Sequence, residues 1–341
     1  MLVSPGGGSR APVTWFRSLV PLLGAAMVVA GCSAAASAPP SSSPSSTAFP
    51  TAFPTASPAA TSTPRPSPQP SSATRRTGPY LGQTPPGTIP EIFARGVVSD
   101  PAFTEYSGAF SPDGTEYYFY RFTGGSPSEL LSSRSVDGVW TDPEPLAIAV
   151  GYAAAEPHVT FDDQRLYFMW ERPVPEGRPS YLGVGGYYVA ERTPNGWAEP
   201  TYAGQGMFMS STRDGRLYTT DMSSVQAEGT TYLAQVAVDH GVFTRYDRLA
   251  VQPFLGSQAH PCISPDGRYL LFDVDSGSRL FVSFRQADAT WGKAIDLSAH
   301  GFDRLAGGAT ISPDGKYLFF SLRDDIWWVD SEVIAALEPK A

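Results

Sequence analysis

Two carboxylates, Glu105 and Glu156, are the residues of this chain whose type and position best suit acid–base chemistry. Each stands where a short apolar segment begins, and the two segments are successive copies of one repeat. Hydrolysis of a glycosidic bond needs an acid and a base or nucleophile about 5 to 10 Å apart. Side chains on adjacent repeats can meet that spacing, so Glu105 and Glu156 are candidate catalytic residues of a carbohydrate-active enzyme.

Other polar side chains precede the corresponding segments of later repeats. If these loops converge on one point, they form a binding site around the two carboxylates. The alternative is structural, because polar residues at this level of a repeat fold often bond a neighbouring backbone or a channel water. The predicted binding residues are Glu105, Glu156, Gln205, Gln258, His260 and Arg304.

Motifs for other chemistries are absent from the sequence. It has no phosphate-binding loop, dinucleotide fingerprint, paired-cysteine zinc site, HExxH segment or Gly-x-Ser-x-Gly elbow. All 33 acidic residues follow residue 90, whereas 5 of the 24 basic residues precede it, so the C-terminal part carries a net charge of −14. A field of that sign disfavours nucleic acid. We therefore expect no metal, no cofactor and no nucleic-acid partner.

The elements that must position these side chains come from an internal repeat. An apolar segment, a turn built on aspartate and an aromatic-rich segment recur five times after residue 91. The aligned aspartates are 49, 52, 52 and 48 residues apart, and a period near fifty with several strands per unit is typical of propeller blades. The predicted fold is therefore all-β, a single five-bladed β-propeller over residues 90–341. The aspartates are Asp113, Asp162, Asp214, Asp266 and Asp314.

Turn chemistry and aromatic residues complete the predicted blade. Proline, aspartate and glycine favour a tight turn between the first two strands. The last repeat lacks an outer strand, and residues 90–93 resemble the outer strands of earlier repeats, so they are predicted to complete the last blade and close the ring. Four repeats place a large aromatic at the start of the outer strand, where we expect packing against a neighbouring blade. These aromatics are Trp140, Trp197, Phe243 and Trp291.

The Ser-Pro-Asp-Gly turns at residues 111–114, 264–267 and 312–315 resemble those of WD40-like propeller repeats. Such repeats form the C-terminal half of TolB and occur in many bacterial envelope proteins. The resemblance covers roughly residues 90–341 and implies a propeller with a binding or scaffold role. The chain departs from TolB in having five repeats where that family has six, and in carrying a linker in place of its separate N-terminal domain.

The N-terminal segment indicates secretion and a lipid anchor. Arg10 and Arg17 precede an apolar run at residues 19–30 that is too short for a spanning helix and typical of a signal peptide. The run ends in Val-Ala-Gly-Cys at residues 29–32, which resembles the lipobox of bacterial lipoproteins. That resemblance implies attachment of a diacylglycerol, with acyl chains such as palmitate, to Cys32. We therefore expect an extracytoplasmic protein that is lipid-anchored to a bacterial membrane.

Three regions follow from these observations: a signal peptide at 1–31, a linker at 32–89 and the propeller at 90–341. Fourteen prolines lie between Pro39 and Pro90 among Ser, Thr and Ala, without an acidic residue, so the linker is expected to be disordered. The predicted function is that of a monomeric binding or scaffold module for an envelope protein or a cell-wall glycan. The alternatives are the carbohydrate-active enzyme that uses Glu105 and Glu156, and a purely structural module.

Overall fold

The computed structural model describes residues 75–123, 127–180, 185–274 and 278–340. The predicted signal peptide, the predicted lipidation site Cys32 and residues 33–74 of the linker lie outside these ranges. The helical elements of the described ranges are short: α1 (Val225–Glu228), α2 (Glu332–Ala335) and the 3-10 helices Tyr80–Gly82, Ala147–Ala149 and Leu297–His300. None of the helices in these ranges is long and apolar enough to cross a membrane.

The described strands, numbered β1 to β22 along the chain, form five antiparallel sheets. Strand β1 (Glu91–Ile92) precedes the first repeat. Blade 1 holds β2 (Thr104–Phe110), β3 (Glu116–Phe122), β4 (Glu129–Val136), β5 (Val139–Trp140) and β6 (Glu144–Pro145). Blade 2 holds β7 (Ala154–Val159), β8 (Arg165–Trp170), β9 (Gly186–Thr193), β10 (Gly196–Trp197) and β11 (Thr201–Gly204). Blade 3 holds β12 (Gly206–Ser211), β13 (Leu217–Asp221), β14 (Tyr232–Asp239) and β15 (Val242–Arg248).

Blade 4 holds β16 (Ala259–Ile263), β17 (Tyr269–Val274), β18 (Ser278–Phe284) and β19 (Ile295–Asp296). Blade 5 holds β20 (Gly307–Ile311), β21 (Tyr317–Leu322) and β22 (Asp325–Asp330), with β1 as its outermost strand. The core consists of layers of apolar side chains between successive sheets.

The five sheets form a closed ring. Inner strands β2, β7, β12, β16 and β20 lie next to one another in that order, and β20 lies against β2. The N-terminal strand β1 pairs with β22 through Glu91 opposite Trp328 and Ile92 opposite Trp327. Because β1 covers an edge that would otherwise be open, the first strand of the unit completes the last blade. The predicted five-bladed propeller and its closure by residues 90–93 are confirmed.

Each blade turns from its inner strand to its second strand at the repeated aspartate. In blade 5, Asp314 Oδ1 accepts hydrogen bonds from Ser312 Oγ at 2.7 Å and from the backbone N–H of Lys316 at 3.1 Å. Gly315 follows with φ of +82°, which glycine adopts without strain. The same bond from a hydroxyl to the turn aspartate recurs in the other blades, from Ser111, Thr160, Thr212 and Ser264.

The outer-strand aromatics pack between blades, as the sequence predicts. Trp197 of blade 2 donates its Nε1–H to Tyr118 Oη of blade 1 at 2.9 Å. Phe243 of blade 3 stacks against Tyr167 of blade 2 with ring centroids 6.0 Å apart. The corresponding tryptophans of blades 4 and 1 join apolar clusters with residues of blades 3 and 5, respectively. Each of these aromatics therefore fixes its blade against the preceding one.

Residues 75–89, which precede the expected start of the propeller at residue 90, belong to the same compact unit as the blades. Trp140 donates its backbone N–H to the carbonyl of Arg76 at 2.9 Å and its Nε1–H to that of Gly78 at 2.7 Å. The ring of Tyr80 contacts aromatic rings of both blade 1 and blade 5. Residues 75–89, which composition assigned to the linker, therefore pack over the seam between blades 5 and 1.

Candidate functional site

The inner strands surround a central channel, and its mouth is the end at which these strands begin. Every inner strand has a β-bulge near the mouth, because its pairing with the second strand shifts by one residue. The bulged residues have φ between 48° and 58°, which costs a non-glycine residue about 1–2 kcal/mol. Since this conformation recurs in all five blades, it belongs to the propeller and not to one site. The bulged residues are Ser107, Glu156, Phe208, His260 and Gly308.

Four of the bulged residues are bonded to the preceding blade. In each case the backbone N–H donates to a side chain of that blade, and we call these contacts the bulge bonds. The pairs are Phe208 N to Glu156 Oε2 (2.8 Å), His260 N to Thr220 Oγ1 (3.0 Å), Gly308 N to Asp273 Oδ2 (2.9 Å) and Ser107 N to Ser321 Oγ (3.0 Å). Glu156 thus makes a contact of the kind that the structural alternative predicts.

Glu156 and His260, two of the predicted binding residues, belong to one buried charge cluster at the mouth. The two oxygens of Asp273 lie 2.9 and 2.8 Å from His260 Nδ1. Burial lowers the pKa of His260, but the charges of Asp273 and Glu156 outweigh burial and raise the pKa above its usual value. Burial raises the pKa of Glu156, although His260 and the N–H of Phe208 act in the opposite direction. The three ionisable groups therefore act on one another.

Aromatic rings lie beside this cluster. The ring centroids of Phe208 and Tyr106 are 4.9 and 6.2 Å from that of His260. A Cβ atom at Gly308 would lie 2.4 Å from the Tyr106 ring, so glycine at this bulge leaves room for the tyrosine. The Nε2 atoms of His260 and Gln258 are buried and form no hydrogen bond with any described residue. The mouth thus combines unbonded polar atoms with a packed aromatic surround.

Glu105 lies in different surroundings, one residue before Tyr106 and two before the bulge of blade 1. Its Oε1 accepts a hydrogen bond from Arg121 Nε at 2.6 Å, and its Oε2 accepts one from the N–H of Asp100 at 3.3 Å. Burial raises the pKa of Glu105 to about 7, although Arg121 and Asp100 act to lower it. The charged groups that act most on this carboxyl are Arg121 and Asp325, whereas those that act most on Glu156 are His260 and Asp273. The two predicted carboxylates therefore belong to separate clusters on adjacent blades.

The other predicted residues divide between the interior and the surface. Gln205 donates its Nε2–H to the carbonyl of Ser180 at 2.9 Å, and so bonds the described segment 171–180 that follows β8. Arg304 is exposed, and its guanidinium bonds none of the described residues. The structure therefore brings Glu156 and His260 into one cluster and buries Gln258 in the segment that leads to His260, whereas Glu105, Gln205 and Arg304 have other surroundings. Ligand binding by these six residues stays a prediction.

Asp273 is the mouth residue that sequence reasoning missed. It is fully buried and holds both His260 and the bulge of blade 5. The sequence does contain a signal for it, because Asp273 interrupts an otherwise apolar strand at residues 270–274. A buried acid needs bonded partners, so an aspartate in such a strand indicates a polar contact inside the fold. Within the described ranges, no group of three or more His, Cys, Asp and Glu residues is arranged to hold a metal ion.

The opposite end of the channel, where the aspartate turns lie, contains a cavity of about 50 Å³. At this end His158 Nε2 lies 2.8 Å from Ser211 Oγ of the next blade. Burial lowers the pKa of His158 to about 4, so its imidazole is neutral at pH 7. Ser210 and Thr310, at the position of His158 in blades 3 and 5, also bond the next blade. The His158–Ser211 pair is therefore one of a series of contacts between blades.

The mouth face also carries exposed apolar side chains. Among the described residues, five of the seven exposed large hydrophobic side chains lie in loops that lead into an inner strand. Their exposed fractions are between 38% and 59%, so solvent covers much of each side chain. Isolated surface hydrophobes are common, so these residues are at this point only a candidate interaction surface. We call this group the mouth rim: Val150, Tyr152, Phe254, Leu255 and Leu305.

Comparison with known proteins yields similar structures but no family. No family model and no curated protein sequence matches the chain. TolB from Acinetobacter baumannii is 15% identical over 67% of this chain and 55% of its own length, with a TM-score of 0.42. A gluconolactonase from Xanthomonas campestris is 14% identical over 74% of this chain and 98% of its own, with a TM-score of 0.40. The chain spans about half the length of that TolB. At TM-scores below 0.5, the five-bladed fold rests on the strand pairing of the chain itself.

Proposed function

We propose that this chain is a lipid-anchored extracytoplasmic propeller that binds another protein of the cell envelope through its mouth rim. One observation carries the proposal. The two candidate carboxylates, Glu105 and Glu156, are bonded within the fold, whereas apolar residues around the mouth are exposed. A surface of this kind suits docking better than catalysis inside the channel.

The composition of the mouth rim favours a protein partner over a glycan. Phe254 stacks on Tyr232 with ring centroids 5.3 Å apart, and the guanidinium of Arg248 lies 4.1 Å from the centroid of the Tyr232 ring. An aromatic side chain held in place loses little entropy on binding and is typical of protein interfaces. The rim offers a single hydroxyl, that of Tyr152, whereas a glycan needs many hydrogen-bonding groups.

Location and charge support the same proposal. The predicted signal peptide and lipidation site at Cys32 would place the propeller outside the cytoplasm, where a spacer rich in proline can hold it away from the membrane. The net charge of −14 beyond residue 90 would guide a partner with a basic surface toward the propeller. The resemblance of the Ser-Pro-Asp-Gly turns to those of TolB-type repeats supports a binding role.

The test is site-specific photo-crosslinking of the full-length protein in the membranes of its own host. A photoreactive residue at Tyr152 or Phe254 is expected to capture the same protein. Ile89 is the matched control, because it is 77% exposed and two residues after Gly87, whose carbonyl accepts the N–H of Asp330 at the turn end of β22. Absence of a protein adduct at the two rim positions, or equal capture at Ile89, would contradict the proposal.

The second candidate is a carbohydrate-active enzyme that uses Glu105 and Glu156. The observation in its favour is that the pKa of Glu105 is raised to about 7, which suits a general acid. Against it, the two carboxyls are buried, bonded internally and acted on by different charged groups. Turnover of a glycoside by the wild type, abolished in the Glu105→Gln, Glu156→Gln variant, would establish the enzyme.

A further inference from the structure

A second recess lies outside the channel, in the cleft between blades 1 and 2. Its volume is about 460 Å³, within the size range of ligand sites. Its floor is one face of blade 1, because Ser132, Arg134 and Val136 alternate along β4 and share that face with Glu116 and Tyr118 of β3. We call this recess the blade cleft. It belongs neither to the mouth rim nor to the channel.

One wall of the blade cleft is a bonded network that joins the two blades. Trp197 donates to Tyr118 Oη at 2.9 Å, and Tyr118 donates to Glu116 Oε2 at 2.7 Å. Arg192 Nη2 pairs with Glu116 Oε2 at 2.8 Å, and its guanidinium lies 3.8 Å from the centroid of the Trp197 ring. The polar groups of this wall are therefore engaged, and one face of its tryptophan is covered.

Arg134 differs from the rest of the cleft because it has no partner there. It stands directly opposite Glu116 on the neighbouring strand, but Glu116 is bonded to Arg192. The guanidinium of Arg134 makes no ion pair, hydrogen bond or ring contact with any described residue, and the side chain is exposed. It also lines an adjoining recess of about 340 Å³. An unpaired cation therefore faces the cleft.

Apolar side chains flank this cation. Val136 is 58% exposed two residues along the same strand, and Leu146 and Ile148 line the cleft from the segment that follows β6. Glu144 lines it as well and is exposed. With acidic Glu116 and Glu144 in the lining, the cleft would repel a polyanion, whereas one carboxylate can reach Arg134.

We propose that the blade cleft binds an extended peptide segment of a partner protein, with one carboxylate against Arg134 and apolar side chains against Val136 and Ile148. A carboxylate supplies the bidentate acceptor that a guanidinium fits best. A peptide also supplies apolar groups, which exposed Val136 would bury. A sugar is a poorer match, because Arg192 occupies a face of Trp197 on which a sugar ring would stack.

The test is selection of displayed random-sequence peptides on the immobilised full-length protein. Peptides with an acidic residue next to apolar residues are expected to be enriched, and synthetic copies are then titrated against purified variants. Arg134→Glu is expected to weaken binding about tenfold or more, because it removes a charge-assisted hydrogen bond and sets a like charge against the carboxylate of the peptide. Val136→Ser tests the apolar contact at an exposed position and should weaken binding less. The control is Lys293→Glu, which makes the same change of sign at another exposed cation.

Four outcomes would overturn the proposal. The first two are that no peptide is enriched, or that the enriched peptides lack an acidic residue. The third is that the wild type and Arg134→Glu bind the peptide with equal affinity. The fourth is that a soluble cell-wall glycan fragment displaces the peptide from the wild type and that Arg134→Glu abolishes binding of this fragment. Circular dichroism of the Arg134→Glu variant separates loss of binding from loss of fold. Because the mouth rim is elsewhere, crosslinking at Tyr152 succeeds or fails independently of this test.

Discussion

Glu105 and Glu156 carry the same carboxyl group, but their surroundings give each a different set of bonding partners. Each is withdrawn from solvent, but Glu105 is held by Arg121, whereas Glu156 accepts the backbone N–H of the neighbouring blade and interacts with His260. When burial raises the pKa of a carboxyl, the folded protein favours the protonated form of that carboxyl. The free energy of unfolding then depends on pH, because the folded and unfolded states bind protons differently.

The first prediction concerns Glu105. Its pKa rises from 4.5 to about 7 on folding, so its contribution to stability is fully present below pH 4.5 and is lost as the pH rises to about 7. In that window the free energy of unfolding of the wild type should fall, with a slope from this group of at most about 1.4 kcal/mol per pH unit. Urea unfolding of Glu105→Gln should show a smaller fall. Glu144→Gln, at an exposed position, should follow the wild type, and an unchanged slope in Glu105→Gln would contradict the assignment.

At the scale of the element, the bulges of the inner strands stand out. Each places one residue at positive φ, and four are tied to the preceding blade through the bulge bonds. The acceptors Thr220, Asp273 and Ser321 occupy one position of the second strand, opposite the residue before the bulge. A strained conformation persists when bonds around it fix the backbone, so these bonds hold the blades in register.

The second prediction tests a bulge bond. Thr220→Val keeps the shape of the side chain but removes the acceptor of the His260 N–H, which is buried. An unsatisfied buried donor costs about 1–3 kcal/mol, so the free energy of unfolding should fall by that amount. Thr244→Val, at an exposed threonine, is the control and should change stability by less. Equal urea midpoints for the two variants would show that the bulge does not depend on this bond.

The third prediction tests closure of the ring. Phe93 directly follows β1, is fully buried and contacts the rings of Phe110 and Tyr117 in blade 1 and of Phe319 and Trp328 in blade 5. Phe93→Ala should therefore lower the free energy of unfolding by about 3–5 kcal/mol. Ile89→Ala removes an exposed side chain and should cost little. Similar melting temperatures for these variants would mean that β1 is not needed to close the ring.

For the whole molecule, the sequence predicts the architecture better than the site. Repeats of nearly constant length determine blade number, and the lack of an outer strand in the last repeat determines how the ring closes. Composition near residue 80, where prolines are frequent, gives no sign that Tyr80 and Leu81 pack on the core. Glu156 and His260 stand six residues before their repeat aspartates, but Glu105 stands eight before its own. The bulged residue of blade 1, Ser107, lies between Glu105 and its repeat aspartate. A bulge changes the direction in which the preceding side chains point, and its position depends on contacts between blades that the sequence does not display.

The last prediction concerns how the whole molecule is held in the cell. The chain has two cysteines, Cys32 in the predicted lipobox and Cys262 in the core, where burial raises the pKa of its thiol and keeps it unreactive. Cys32→Ala should release the protein from membranes and abolish labelling with a palmitate analogue, because the acidic propeller is repelled by anionic lipid. Cys262→Ala is the matched control, since it removes the other thiol but leaves the lipobox intact, and it should stay in the membrane fraction with its label. A Cys32→Ala protein that remains wholly with the membranes would show that the apolar run at residues 19–30, or another contact, supplies the anchor.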